Sequence, residues 1–390
     1  MNLKERWETS YSPNYATPSI MLDHGRGVEV WDANGKRYLD FLAGIAVSST
    51  GHAHPHVVAA IARQAGRLMH TSNLYANEPN VALAEKLRAI TGYDKAFFSN
   101  SGGEANEAAL KLARRFAHVK GKPEAMIISL EQSFHGRTTG TVRLTAQPKY
   151  QKDFGPLPTQ IMHTRANNIG ALEKAFAEQP ISALFLEPIQ GESGVRPLNA
   201  SFVKRAAELC QQHDALLVAD EIQTGIGRTG RFLAQEHYGV KADITTLAKG
   251  IASGMPLGAT LMTQRVASLL APGDHGSTFG GNPVCSAAAL ATLDVLRDER
   301  LVENADATGA YLREQLAARL PGLKEVRGLG LLVGSEFREP IAKRVKAEAE
   351  GAGLLVNAVG EHVLRLAPPL VVTREQVDEA VGILAKVSSA

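Results

Sequence analysis

The sequence predicts an α/β fold in which a mostly parallel β-sheet is covered by helices on both faces, with a smaller α+β body beside it. Three observations carry that expectation. Apolar runs without polar alternation, at 182–187 and 215–221, suit strands buried on both faces. Amphipathic stretches, such as 200–213, separate these runs as the crossovers of a parallel sheet require. Beyond about residue 281 the pattern changes to a long helical region followed by short strands. The expected division is therefore a larger body at 57–280, with a smaller one built from the N-terminal segment 1–56 and the C-terminal segment 281–390.

Taken in order, residues 28–41 alternate on both sides of Asn34-Gly35, which predicts a hairpin. His52, His54 and His56 follow. Pro55 interrupts them and no Asp, Glu or Cys stands near in sequence, so they read as turn and helix-start residues, with no metal expected. A helical pattern covers 57–70. The short strand 95–99 then runs into Ser101-Gly102-Gly103 and a helix to about residue 118, with Ala105, Ala108, Ala109, Leu112 and Phe116 on its apolar stripe. Strand, Ser-Gly-Gly and helix start make a phosphate-binding geometry, because freed N–H groups and the helix dipole face an anion. The same residues also suit a glycine turn with Ser101 as the helix cap.

Strands at 125–129, 182–187 and 215–221 lead into polar residues. These are Phe134-His135-Gly136-Arg137-Thr138, Gln190 to Gly194 with Glu192, and Asp220-Glu221. Ligands of parallel sheets sit at the carboxyl ends of strands, where these groups would converge. Residues 283–320 read as one long helical region. Strand-like runs at 353–357 and 362–367 precede a closing helix from Arg374.

Composition narrows the function. The chain has 390 residues, 44% hydrophobic and 21% charged, with a net charge of +2 and its cations spread out. That balance gives no general attraction to nucleic acid or anionic membrane. No apolar run approaches the ~18 residues needed to cross a bilayer. The charged N-terminus lacks a signal-peptide core, and Cys210 and Cys285 read as free thiols in a reducing cytoplasm.

Lys249 stands in an otherwise apolar or small-residue run, flanked by Thr245, Thr246, Gly250, Ala252, Ser253 and Gly254. An apolar setting disfavours the ammonium form and favours the amine that forms Schiff bases, although a snorkelling lysine at a core edge gives the same pattern. Asp220 ends a fully apolar strand, where a bare carboxylate needs a cation. A protonated pyridine nitrogen is one candidate; a helix cap or salt bridge is another. Asp with Lys is the pair that pyridoxal phosphate requires: the lysine carries the aldehyde and the aspartate keeps the ring nitrogen protonated. Gly225-Ile-Gly227-Arg-Thr-Gly230 matches the dinucleotide fingerprint and raises a nicotinamide-dependent oxidoreductase as the rival class. Against it, Asp220-Glu221 would repel a pyrophosphate, and the next strand ends at a lysine rather than a ribose-binding acid. Arg365 lies in an apolar strand and must meet a carboxylate, and Arg137 is a candidate second clamp.

The set Ser101 to Glu107, Phe134 to Thr138, Asp220 to Gly225 with Gln223, Lys249-Gly250, and Ser277-Thr278 to Pro283 resembles the class III pyridoxal-phosphate aminotransferases in order and spacing. Gly44 to Val47, His52 to Pro55, Ser72-Asn73-Leu74-Tyr75 and Leu364-Arg365 to Pro369 are most similar to the members that act on N2-acetylornithine. The resemblance implies a fold-type I pyridoxal-phosphate transferase that forms a homodimer with shared active sites. It implies that Lys249 carries the cofactor and Asp220 pairs with its ring nitrogen. Gln223 would reach the phenolic oxygen, Phe134 and Ile222 would cover the two ring faces, and His135 would belong to the same cofactor site. Ser101, Gly102 and Gly103 would hold the phosphate, joined by Thr278 of the neighbouring subunit. Glycine at 103, where the family often has Thr or Ala, leaves only a backbone donor. Arg137, Glu192, Arg365, Asn73, Tyr75 and Ser277 would face substrate, with Glu192 masking Arg365 when no carboxylate is there. The implied reaction moves the δ-amino group of N2-acetylornithine to 2-oxoglutarate, giving glutamate and an aldehyde in arginine biosynthesis. Ornithine, succinylornithine, succinyldiaminopimelate and γ-aminobutyrate are the alternative amines.

Overall fold

The computed structural model describes residues 3–389. Its centre is a seven-stranded sheet in the order Lys95–Ser99, Gly258–Met262, Ile244–Leu247, Leu216–Asp220, Ile181–Leu186, Met126–Leu130, Ile161–Thr164. Gly258–Met262 is antiparallel to both neighbours, and the other pairings are parallel. Ile181–Leu186 and Leu216–Asp220 are buried along their whole length, which is why their sequences do not alternate. The helices Gly102–Val119 and Ala200–Gln212 lie on opposite faces of this sheet. Leu112 and Phe116 pack with Phe185 and Val218, whereas Phe202 and Leu209 pack with Leu184 and Leu217. Successive strand residues thus feed two different cores.

Two smaller four-stranded sheets bring the chain ends together. Leu22–Arg26, Glu29–Asp32 and Arg37–Asp40 form an antiparallel meander. Leu354–Leu355, from far along the chain, joins its edge in parallel with Arg37–Asp40. The other sheet is antiparallel: Leu323–Leu329, Leu332–Phe337, Val363–Leu366 and Asn357–Val359. The strand-like run at 353–357 is therefore divided between two sheets.

Other expectations change in detail. Residues 283–320 form two helices, Pro283–Asp298 and Leu301–Arg319, because Arg300 takes a left-handed φ of 53°. No glycine or proline marks that break, so apolar spacing alone runs through it. The helix expected over 57–70 is Pro55–Ala65, closed by Gly66. The fingerprint Gly225 to Gly230 opens no dinucleotide-type helix; a short 3-10 turn, Ala234–Tyr238, follows it. A Cβ on Gly230 would stand 2.8 Å from that of Asp306, so this glycine serves close packing. Among the described residues there is no group of three or more His, Cys, Asp or Glu placed to hold a metal, and no helix long and apolar enough to cross a membrane.

Candidate active site

The ends of Leu216–Asp220 and Ile244–Leu247 open on a pocket of about 310 Å³. Ser101, Gly102, Gly103, Phe134, His135, Glu192, Asp220, Ile222, Gln223 and Lys249 all line it. Lys249 follows the strand Ile244–Leu247 after one intervening residue, Ala248, and holds a left-handed φ of 46°, a conformation that a non-glycine residue keeps only where its surroundings impose it. It keeps part of its surface accessible because it lines an open pocket. The protein mass around it nevertheless pushes its ammonium pKa down by desolvation, against the opposing pull of Glu192.

Asp220, 4% exposed, is held by three donors. Asn106 Nδ2 and His135 Nδ1 reach its Oδ2 at 2.7 and 2.8 Å, and the N–H of Ile222 donates to Oδ1 at 3.1 Å. Asn106 is fixed in turn by Thr246 Oγ1, which donates to its Oδ1 at 2.8 Å, and by its own bond to the His135 carbonyl. Beside Asp220, the buried Glu187 accepts the N–H of Phe134 at 3.0 Å. Burial, then the charge of Asp220, pushes its pKa well above the usual carboxylate range.

Ser101 caps the helix Gly102–Val119 by accepting the N–H of Glu104 at 3.2 Å. The capping reading of this turn is met, and the cap orients a helix start whose first-turn N–H groups lack helical partners and are suited to an anion. A Cβ on Gly102 would lie 2.8 Å from the Ile222 side chain, so glycine brings the cradle against Ile222. Glu192 in the pocket lining accepts from Nη1 of Arg365, which is 2% exposed, does not itself line the pocket, and donates from Nη2 to Asn357 Oδ1 at 3.0 Å. Burial raises the Glu192 pKa, but the Arg365 guanidinium more than offsets it, and the net shift is downward.

The remaining candidates lie apart from the lining of this pocket. Arg137 is exposed, its guanidinium stacked 3.8 Å from the Tyr150 ring centroid. Asn73 Nδ2 donates to the carbonyls of Ser277 and Gly280, at 3.0 and 3.2 Å, tying two surface loops together. Tyr75 and Thr278 are exposed on these loops. Sequence reasoning did not single out Glu187, Asn106 or Val47, which also shape the site. A polar Asn106 amid the alanines of an apolar stripe was the one available signal.

A desolvated lysine, a buried aspartate held by three donors and a helix start suited to an anion, all lining one pocket, are groups that a phosphate-bearing aldehyde cofactor would use. The class-III aminotransferase family model matches residues 10–387, and the chain belongs to that family. It is 47% identical to the acetylornithine aminotransferase of Methanothermobacter thermautotrophicus, over 96% of this chain and 95% of that one. Among solved structures, the acetylornithine aminotransferase of Elizabethkingia anophelis superposes with a TM-score of 0.88 at 36% identity, covering 99% of this chain and 97% of that one. The ornithine aminotransferase of Toxoplasma gondii, in a structure described as having partial occupancy of PLP at the active site, superposes with a TM-score of 0.94. It is 38% identical, covering 99% of this chain and 93% of that one.

Proposed function

We propose that the protein transfers the δ-amino group of N2-acetylornithine to 2-oxoglutarate with pyridoxal phosphate as cofactor, in the cytoplasm and as a homodimer. The observation that carries this reading is the Glu192–Arg365 pair, whose Glu192 lines the same pocket as Lys249. An amine substrate without a carboxylate at that point leaves the pair closed, and a dicarboxylic acceptor opens it. The relatives named acetylornithine aminotransferase, at 47% identity over nearly the full chain, support the choice of amine.

The residues fit the cofactor. Gly102 and Gly103 line the pocket at a helix start whose first-turn N–H groups suit a phosphate, and Asp220 presents a carboxylate whose own donors use only part of its acceptor capacity. When bound, pyridoxal phosphate supplies an aldehyde for the amino group and a ring that accepts the electron pair left at carbon. Asp220 holds the proton on the ring nitrogen. Lys249 Nζ, favoured as a neutral amine by its burial, takes the proton from Cδ of the amine substrate. In the second half it delivers a proton to Cα of the acceptor as that carbon becomes the α-carbon of glutamate. Arg137 binds the distal carboxylate in each half, and Arg365 binds the α-carboxylate of 2-oxoglutarate. Ser101 and Gly103 complete the phosphate site, joined by Thr278 of a second copy, and Phe134 and Ile222 cover the ring. Leu74, Tyr75 and Phe279, 85%, 73% and 59% exposed on the two tied loops, support that shared interface. Residues 57–280 make the cofactor-binding body, and 1–56 with 281–390 the second.

Mixing the cofactor-loaded protein with N2-acetylornithine, without 2-oxoglutarate, tests this reading. Rapid bleaching of the cofactor's visible band, and slow bleaching with ornithine, γ-aminobutyrate or succinyldiaminopimelate, is the expected result. Faster bleaching by another amine reassigns the substrate, and no visible band after added pyridoxal phosphate refutes the cofactor.

A further inference from the structure

We propose that Arg327 is a positioning residue that sets how firmly Glu192 holds Arg365, and so how readily the site accepts a carboxylate there. The inference rests on the transaminase reading above. Glu192 lies in the tip of a short hairpin, between the strands Ile189–Gln190 and Arg196–Pro197. The return limb of that tip is strained at Val195, a β-branched residue with φ 55°, next to Gly194, whose φ of 101° glycine tolerates. Something must hold it.

Arg327 does so from the neighbouring sheet. Its Nε donates to the carbonyls of Gly194 and Val195, both at 3.0 Å, and its Nη2 donates to Gly194 again at 2.7 Å. Its Nη1 donates to Glu336 at 2.5 Å and to Glu325 at 2.9 Å. A Cβ on Gly194 would stand 3.2 Å from Nη2, so glycine lets the fork close on the tip. Only a planar guanidinium serves carbonyls on one side and carboxylates on the other with fixed geometry.

The anchor at the other end matters equally. Glu336 belongs to Leu332–Phe337, the strand paired with Val363–Leu366, in which Gly334 stands opposite Arg365. One side chain therefore ties the backbone behind Glu192 to the sheet that carries Arg365. With that distance fixed, uncovering Arg365 needs rotation of the Glu192 side chain alone. The carboxylate of Glu192 is held at high effective concentration beside Arg365, where an incoming carboxylate must displace it. Loosening the tip weakens the competitor.

Arg327→Gln and Arg327→Lys in the holoenzyme test this. Glutarate, a dicarboxylate with no group to react, is titrated calorimetrically; the expected result is binding about five- to tenfold tighter for Arg327→Gln. Arg327→Lys keeps the charge without the fork and is expected to tighten glutarate about twofold, carrying the test should the glutamine variant not fold. In half-reactions, Arg327→Gln should slow acetylornithine about tenfold in kcat/KM while leaving 2-oxoglutarate within about threefold. In a Glu192→Gln background, Arg327→Gln should leave glutarate binding unchanged. Unchanged or weaker glutarate binding in the folded single variants, or equal losses in both half-reactions, would overturn the proposal. Should the unmodified protein ignore acetylornithine but react with another amine, the substrate assignment fails while the glutarate titration still judges Arg327.

Discussion

His135 Nδ1 lies 2.8 Å from Oδ2 of Asp220, and His135 Nε2 is buried with no partner. With Asp220 ionised, the ring must carry its proton on Nδ1 and donate it to the carboxylate. That geometry predicts an orienting role for the imidazole, tested by two substitutions. Asp220→Asn, which removes the charge and keeps the shape, should lower turnover by at least about 10²-fold. His135→Gln should cost less, about tenfold, because Asn106 still holds the same oxygen. Steady-state rates, with cofactor content measured alongside, decide between them; a His135→Gln loss as large as that of Asp220→Asn would refute the orienting role.

The Glu192–Arg365 pair predicts unequal damage to the two half-reactions. Glu192→Gln leaves Arg365, 2% exposed, without its anion whenever the bound substrate brings none. Stranding a buried charge is costly, so the acetylornithine half should slow at least tenfold while the half that brings a carboxylate changes little. Stopped-flow bleaching and recovery separate the halves. Equal losses would remove the switch.

Much of this site was legible because its chemistry sits on strand ends. A lone lysine among small residues, an aspartate closing an apolar strand and a Ser-Gly-Gly before a helix are each unusual enough to stand out. Asn106 was harder to find, since its role depends on facing Asp220 across 114 positions. Glu187 and Arg327 look ordinary in sequence, because each acts through a backbone that local pattern does not reveal: Phe134 N–H for one, the Gly194 carbonyl for the other. The break at Arg300 escaped for a different reason. A left-handed arginine carries no compositional mark.

Tyr150 is placed to aim Arg137. Its ring centroid lies 3.8 Å from the guanidinium carbon, and it meets Phe134 edge-on at 5.8 Å. A partly exposed cation–π contact is worth about 0.5–1 kcal/mol, or a two- to fivefold effect. Tyr150→Ala should therefore raise KM for acetylornithine and 2-oxoglutarate by that factor with kcat little changed, and Tyr150→Phe should restore both. A fall in kcat with unchanged KM would mean that Tyr150 serves the cofactor rather than Arg137.

Glu221, adjacent to Asp220, predicts how stability depends on pH. It is fully buried and accepts Thr224 Oγ1 at 2.6 Å and the N–H groups of Ala234 and Gln235 at 2.9 and 2.7 Å. Burial outweighs these donors and raises its pKa from 4.5 to about 7. Between those values the folded state binds the proton more tightly than the unfolded chain. Stability therefore falls as pH rises from about 4.5 to about 7 and levels off above, a change on the order of 3 kcal/mol. Glu336 acts in the opposite sense and in a separate window. Its bond to Lys324, with Arg327 adding to it, lowers its pKa to about 2, so its contribution is present above about 4.5 and lost only as pH falls towards 2. Glu221→Gln keeps an oxygen for the two N–H groups and has no proton to gain. Melting temperatures of the holoenzyme and this variant, taken from pH 4 to 8 at one protein concentration, should converge near pH 4, where the carboxyl is neutral in folded and unfolded chains alike, separate in favour of the variant as pH rises from about 4.5 to about 7, and keep a constant gap above that. Parallel curves would mean that Glu221 is ionised in the folded protein throughout, stabilised by its three donors despite its burial.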